Sequence, residues 1–236
     1  MKILALDTTS PQGSVALLED DNLLGEITLA GAGSPSQYLL KAIDFLLHQF
    51  SVSLKDVEGY AVAAGPGSFT GIRVGLSTVK AFGLASGKPI APISGIKALA
   101  YKVISTEGSP VAVMMDARKG EVFAALVDKG ENDSLIELVS EGAYKPQDFL
   151  NLLPEKKTYF IGSGVKVYYQ RVKNTLAERA ILSRRSLFIA YEVGLLGWLK
   201  LKEGKGLSPE KVEPIYYRPS QAEEKWSLKK NQKKNS

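Results

Sequence analysis

The order of elements along this 236-residue chain predicts an α/β protein of two similar lobes, each built on a βββαβα unit. Two features carry that prediction. Three short apolar strands followed by a helix, a strand and a second helix occupy the first half, and the same order starts again at Pro110. Asp7 and Asp116 close the first strand of each half. Repetition of such a unit favours two layered lobes over a single doubly wound sheet.

The first three strands run from Ile3 to Leu6, Ser14 to Leu18 and Leu23 to Leu29. Pro11-Gln12-Gly13 and Asp20-Asp21-Asn22 supply the turns between them. A helix over about 35–50 follows, with Ser34 as its N-cap, Pro35 in its first turn and Leu39, Leu40, Ile43, Leu47 and Phe50 at helical spacing. Lys41, Asp44 and His48 fall on its opposite face. Gly59 to Ala64 has the apolar run of a buried strand. It ends in Gly65-Pro66-Gly67-Ser68, which turns into a helix from about Phe69 to Ala85. In the second half, strands are expected at Val111 to Met115, Val122 to Val127 and Leu135 to Val139, then a short helix at Gln147 to Leu152 and a strand at Thr158 to Ile161. Gly162-Ser163-Gly164 leads into a helix over Val165 to Gln170, and a last helix spans about Ser186 to Glu203. Lobes are expected over 1–98 and 99–223, and the lysine- and asparagine-rich tail, 224–236, has too little apolar content to fold.

Composition narrows the chemistry. At 44% hydrophobic residues the chain can bury a substantial core. There is no cysteine, which removes disulfides, thiolate nucleophiles and thiolate-bound zinc. With His48 the single histidine, a metal site would have to be built from carboxylates. The amino terminus lacks a signal-peptide core, and no stretch approaches the roughly 20 apolar residues that span a bilayer, so a cytoplasmic protein is expected. The net charge of +5 is matched by five lysines within residues 225–236, which leaves the remainder with 25 bases and 25 acids. The body is balanced, and the tail is the one segment that reads as an electrostatic arm.

Three segments can carry chemistry. Asp7-Thr8-Thr9 sits at a strand end, where hydroxyls and amides can face a phosphate while the carboxylate holds a metal or water. The same residues are also ordinary turn formers that bond their own backbone. Gly65, Gly67 and Ser68 form a glycine loop at a helix start, suited to an anion but equally to close packing; the loop has neither P-loop nor dinucleotide-fingerprint spacing. Gly71 and Gly75, four apart on the helix that follows, share a face beside Ile72, Leu76 and Val79, so another backbone is expected to approach there. That neighbour is either part of this chain or a partner helix. Arg118, in the turn Asp116-Ala117-Arg118-Lys119-Gly120-Glu121, either clamps an anion or decorates a solvated hairpin end.

Taken together, Ile3-Leu4-Ala5-Leu6-Asp7-Thr8-Thr9 with Ser14-Val15-Ala16-Leu17, the run from Gly65 to Gly75, Asp116-Ala117-Arg118-Lys119-Gly120-Glu121-Val122, and Pro214-Ile215-Tyr216-Tyr217-Arg218-Pro219 resemble the TsaB (YeaZ) family of bacterial tRNA threonylcarbamoyladenosine biosynthesis proteins. The resemblance covers about residues 1–223. It implies a two-lobed actin/Hsp70/sugar-kinase (ASKHA) fold. It also implies a non-catalytic subunit that supports the metal-dependent paralogue TsaD together with the ATPase TsaE, meets tRNA through that complex, and forms a homodimer when alone. The chain departs from the family at Pro35-Ser36-Gln37, where relatives often carry a histidine-serine pair, and it lacks the two helical histidines that hold the metal of TsaD.

On this reading no residue of the chain is catalytic and none holds a metal. Asp7, Thr8, Thr9, Gly65, Gly67 and Ser68 are vestigial phosphate loops, with ATP or ADP placed at the interlobe cleft or the partner interface. Leu39, Ile43, Gly71, Ile72, Arg73, Gly75, Leu76 and Val79 are expected to meet TsaD. An ATP-dependent phosphotransferase or ATPase of the same superfamily is the alternative, and a peptidase a third reading for which the sequence offers no triad.

Overall fold

The structure, a computed structural model, describes residues 1–11, 13–29, 35–107, 109–131 and 134–218. Gln12 of the first turn, the expected N-cap Ser34, Pro219 and the lysine tail lie outside the described residues.

Three antiparallel-connected strands open the chain: β1 (Lys2–Asp7), β2 (Gly13–Glu19) and β3 (Asn22–Leu29). They are followed by α1 (Pro35–Gln49), β4 (Gly59–Gly65), α2 (Phe69–Ser86), β5 (Ile90–Ser94) and α3 (Gly95–Glu107). The second half repeats the plan with β6 (Val111–Arg118), β7 (Glu121–Lys129), β8 (Leu135–Tyr144), α4 (Pro146–Asn151), β9 (Thr158–Ile161), α5 (Ser163–Val167), α6 (Tyr169–Leu176), β10 (Ala180–Leu182) and α7 (Ala190–Lys202). The strand orders are β3-β2-β1-β4-β5 and β8-β7-β6-β9-β10, which are the same order. The duplication is as the sequence predicts; the first unit gains β5 and α3, and the second gains β10, with the single helix expected over Val165 to Gln170 observed as two, α5 and α6. β5 escapes a sequence reading because Pro92 interrupts it, which is tolerated at a sheet edge. β10 is too short to give a pattern.

Alternation along the strands explains the layers. Ile3, Ala5, Ala16, Leu18, Ala61 and Ala63 point to a core between the two sheets, whereas Leu4, Leu6, Val15, Leu17, Tyr60 and Val62 point outward beneath α1 and α2. On the second sheet Val111, Val113 and Met115 join the shared core, and Ala112 and Met114 join an outer cluster under α4, α5 and α6.

The shared core holds α3 and α7, and each lies on the sheet of the other lobe's unit. α7 packs across β1, β2, β4 and β5, and α3 packs on β6 and β7. The reason is steric. A side chain at Gly197 would strike Ala61, and one at Gly194 would strike Leu18, so this sheet of small residues takes a helix that has no Cβ at the crossing. Leu207 pairs with Ile90, and the amide of Ile215 donates to the Ala64 carbonyl at 2.7 Å. Residues 190–215 therefore belong physically to the first sheet, and the expected boundary near residue 98 falls inside α3. The α7 start expected at Ser186 is also corrected to Ala190. Lys102 of α3 joins the two helices, with Nζ 3.2 Å from Glu192 of α7 and 2.5 Å from the Phe188 carbonyl. Burial pushes the Glu192 carboxyl up, and Lys102 opposes that shift.

Candidate functional site

The β1–β2 turn and the glycine loop before α2 come together, and their polar groups are spent on each other. Asp7 is 1% exposed, and its Oδ1 accepts from the Thr9 amide at 2.9 Å and the Thr9 hydroxyl at 2.7 Å. The Thr8 hydroxyl donates to the Gly71 carbonyl at 2.7 Å, and the Ser68 amide donates to the Thr9 carbonyl at 2.7 Å. Ser68 also caps α2, its Oγ accepting from the Gly71 amide at 3.3 Å. Burial raises the Asp7 carboxyl to about 6, against the Thr9 hydrogen bonds that lower it. Of the six residues expected as phosphate loops, Asp7, Thr8, Thr9 and Gly65 are buried, Gly67 is half-buried, and Ser68 is exposed. The turn-forming alternative describes them: they form a latch between β1 and α2.

The same latch answers what approaches Gly71 and Gly75. A Cβ at Gly71 would collide with the Thr8 carbonyl, and one at Gly75 would sit 2.6 Å from Thr8 Oγ1. The close neighbour is the turn of the chain's own first sheet. Leu39, Ile43, Ile72, Leu76 and Val79 are likewise buried in the core under α1 and α2. The expected partner-contact set is corrected accordingly: of its eight residues only Arg73 is exposed, because the small and apolar faces of both helices are used to pack on the sheet. Leu40 and Phe50, read as core-facing, are also exposed, as are Lys41, Asp44 and His48, which sit as expected. The outward faces carry Tyr38 at 51%, Leu40 at 60% and Phe45 at 58% exposure on α1. On α2, the Arg73 guanidinium lies 3.8 Å over the Phe69 ring beside a groove of about 530 Å³ that Val74, Ser77 and Thr78 complete.

Residues 214–218 run from this loop to the second lobe. A side chain at Gly65 would meet the Ile215 carbonyl, and Tyr216 stacks on Phe69 with centroids 5.2 Å apart. Tyr217 donates to Glu141 Oε2 at 2.5 Å, and Ser94 donates to the same oxygen at 2.6 Å. Burial and this bond push the Tyr217 phenol far above its ordinary value. Arg218 reaches Glu121 at 3.1 Å and the Ala117 carbonyl at 2.5 Å. Sequence reading found the Tyr216-Tyr217-Arg218 motif but not its partners; Glu141, 76 residues away, had no signal of its own. Arg118 is at the tip of the β6–β7 hairpin, 81% exposed, with its Nε 3.6 Å from Asp116 of its own turn. It is a hairpin-end residue. Among the described residues no three of His, Asp and Glu come together in a group able to hold a metal ion, and no helix is long and apolar enough to cross a membrane.

Comparison with known proteins bears on this geometry. Residues 34–226 match the family model of TsaD, tRNA N6-adenosine threonylcarbamoyltransferase. The chain is 27% identical to the tRNA threonylcarbamoyladenosine biosynthesis protein TsaB of Bacillus subtilis, over 96% of this chain and 98% of that one. It is 28% identical to TsaB of Haemophilus influenzae, over 92% and 94%. The structure of YeaZ from Pseudomonas aeruginosa superposes with a TM-score of 0.79 at 27% identity, covering 91% of this chain and 99% of that one. At 10% identity and a TM-score of 0.51, the activator of the 2-hydroxyisocaproyl-CoA dehydratase from Clostridium difficile shares the fold alone. By the breadth of the family match and the full-length similarity to TsaB and YeaZ, the chain belongs to the TsaB/YeaZ family within the wider threonylcarbamoyltransferase family.

Proposed function

We propose that this chain takes part in forming threonylcarbamoyladenosine in tRNA as a non-catalytic subunit that binds and supports a TsaD paralogue, with TsaE as a further partner. Its relatives of matching length carry names in that biosynthesis. The observation that carries the subunit reading is the set of large apolar side chains that α1 leaves in solvent beside its buried face, Tyr38 and Phe45 along one edge and Leu40 along the other. Exposed large apolar side chains grouped on one helix mark an association surface. With Phe69, Arg73 and Val74 of α2, they form the side we assign to TsaD, and to a second copy of this chain when TsaD is missing. The latched Asp7 turn supports the non-catalytic part, since its carboxylate and hydroxyls already serve one another.

The test is capture of TsaD and TsaE from native lysate with the double variant Leu40→Glu/Phe45→Glu. Retained TsaD at least about tenfold below the wild-type level, with threonylcarbamoyladenosine in tRNA falling in parallel and the circular dichroism unchanged, is the expected outcome. Undiminished capture and modification would remove this face from the proposal. The phosphotransferase or ATPase alternative is tested on the chain alone with ATP and magnesium: turnover that disappears in Asp7→Ala would favour it.

A further inference from the structure

The charge balance of the body conceals a sharp local excess. Residues 156–185 contain eight bases, Lys156, Lys157, Lys166, Arg171, Lys173, Arg179, Arg184 and Arg185, against one acid, Glu178. Outside this segment and residues 225–236, 17 bases face 24 acids. The fold gathers the segment into β9 and β10 at one side of the second sheet, α5 and α6 on its outer face, and the strand exit that follows.

Strands β6, β9 and β10 are parallel, so β9 and β10 end together and their carboxyl ends open at Gly162 and Ser183. In open α/β sheets that edge is where ligands bind. A groove of about 490 Å³ lies there, lined by Lys166, Tyr169 and Arg185 around an apolar floor that includes Val165, Leu182 and Leu187. Tyr169 is 40% exposed. Lys156 is held by Asp128, and Arg179 donates to the Pro154 carbonyl. Lys166, Arg171, Arg184 and Arg185 are exposed and form no ion pair among the described residues. The Asp116 amide donates to Ser163 Oγ at 3.0 Å, and the Asp116 carboxylate accepts from the Arg118 amide and lies 3.6 Å from the Arg118 guanidinium.

We infer that this groove and the cations around it form a docking surface for RNA, with Lys166 and Arg185 contacting backbone phosphates and Tyr169 offering a ring on which an unpaired base stacks. Unpaired cations beside an exposed aromatic ring are the combination that holds single-stranded nucleic acid, and RNA proteins read loops in this way. The surplus of positive charge on an otherwise acidic body selects a polyanion and orients it to this lobe. The inference rests on the proposed role in tRNA modification and adds to it a direct contact with the RNA, on the opposite lobe from the face assigned to TsaD.

The experiment measures binding of the full chain to a fluorescent tRNA transcript between about 50 and 200 mM salt. Lys166→Glu/Arg185→Glu is expected to bind at least about tenfold more weakly, with the salt slope reduced by about 2, one for each lost phosphate contact. Tyr169→Ala is expected to weaken binding severalfold with the slope unchanged, because stacking releases no counterions. Capture of TsaD by both variants should match the wild type, which separates this proposal from the partner face. Lys166→Gln/Arg185→Gln gives the same reading if charge reversal harms folding. Equal affinity and slope in the variants would overturn the proposal. So would wild-type chain, alone or with captured TsaD, that fails to bind tRNA at about 50 mM salt. Binding lost wholly on deletion of residues 225–236, or displaced completely by ATP, would overturn it too, in favour of the tail or of a mononucleotide.

Discussion

The hairpin turns that open the two sheets hold the same place in the same topology and are finished in opposite ways. Asp7, at the first, is buried and bonded to Thr9, with α2 pressed on Thr8 through two glycines. Asp116, near the second, leads to an exposed tip at which Arg118, Lys119 and Gly120 all take positive φ. The following glycine turns diverge in the same sense. Gly65 to Ser68 starts an 18-residue helix and is covered by residues 215 and 216, whereas Gly162 precedes a 5-residue helix and borders an open groove. Duplication thus reproduces the sheet, while the contacts made at each carboxyl edge decide whether that edge is closed or available. The helices packed beside the closed edge leave Tyr38, Leu40 and Phe45 in solvent, and the open edge gathers unpaired cations.

The first way to break this comparison is to wedge the closed turn. Gly71→Val places a side chain against the Thr8 carbonyl, which is backbone and cannot swing aside. A loss of at least about 3 kcal/mol in urea unfolding is expected. A loss under about 1 kcal/mol would mean that the latch yields.

A second measurement asks how tightly Asp7 is sealed. Its carboxyl titrates near 6 in the folded chain against an ordinary 3.8, so the folded state holds the proton more tightly than the unfolded one. Stability from this group is then greatest below the ordinary value and declines as the pH rises through about 6, which amounts to about 3 kcal/mol of destabilisation at neutral pH. Asp7→Asn keeps an acceptor for Thr9 and removes the charge. It should be more stable than wild type by about 1–2 kcal/mol at pH 7, with the difference closing toward pH 4. No gain at pH 7 would place water or a cation beside the carboxylate.

The smallest effect belongs to the open turn. Gly120 has φ +79° and nothing within 4 Å of a would-be Cβ, so Gly120→Ala meets backbone strain and no clash. About 1 kcal/mol is expected, read as a small shift in the urea midpoint with an unchanged slope. Parity between this substitution and Gly71→Val would erase the distinction between the two turns.

Much of the fold is legible along the chain because short-range periodicity reports it. Thr158 to Ile161 is a strand over the expected residues, and β1, β2 and β4 carry apolar runs that survive because both faces are buried. What approaches Gly71 and Gly75 is not legible, since spacing shows that a backbone comes close but carries no name for it. The partner-contact residues were misplaced for that reason: a small, apolar helical face looks alike whether it packs on its own sheet or on another protein. The basic groove stayed hidden because a charge total averages over the chain, and an excess in residues 156–185 cancels against acids elsewhere.

By itself, then, the sequence determined the duplicated α/β order, the glycine turn before α2, the lack of thiol chemistry and the resemblance to TsaB. These depend on residue type and on neighbours a few positions apart. Tertiary structure alone decided that α3 and α7 lie between the sheets, that Asp7 is sealed, that Tyr217 meets Glu141 and that Lys166, Tyr169 and Arg185 border one groove. Each of those pairs residues far apart in the chain, where the determining quantity is which surfaces fit together once the sheets have formed.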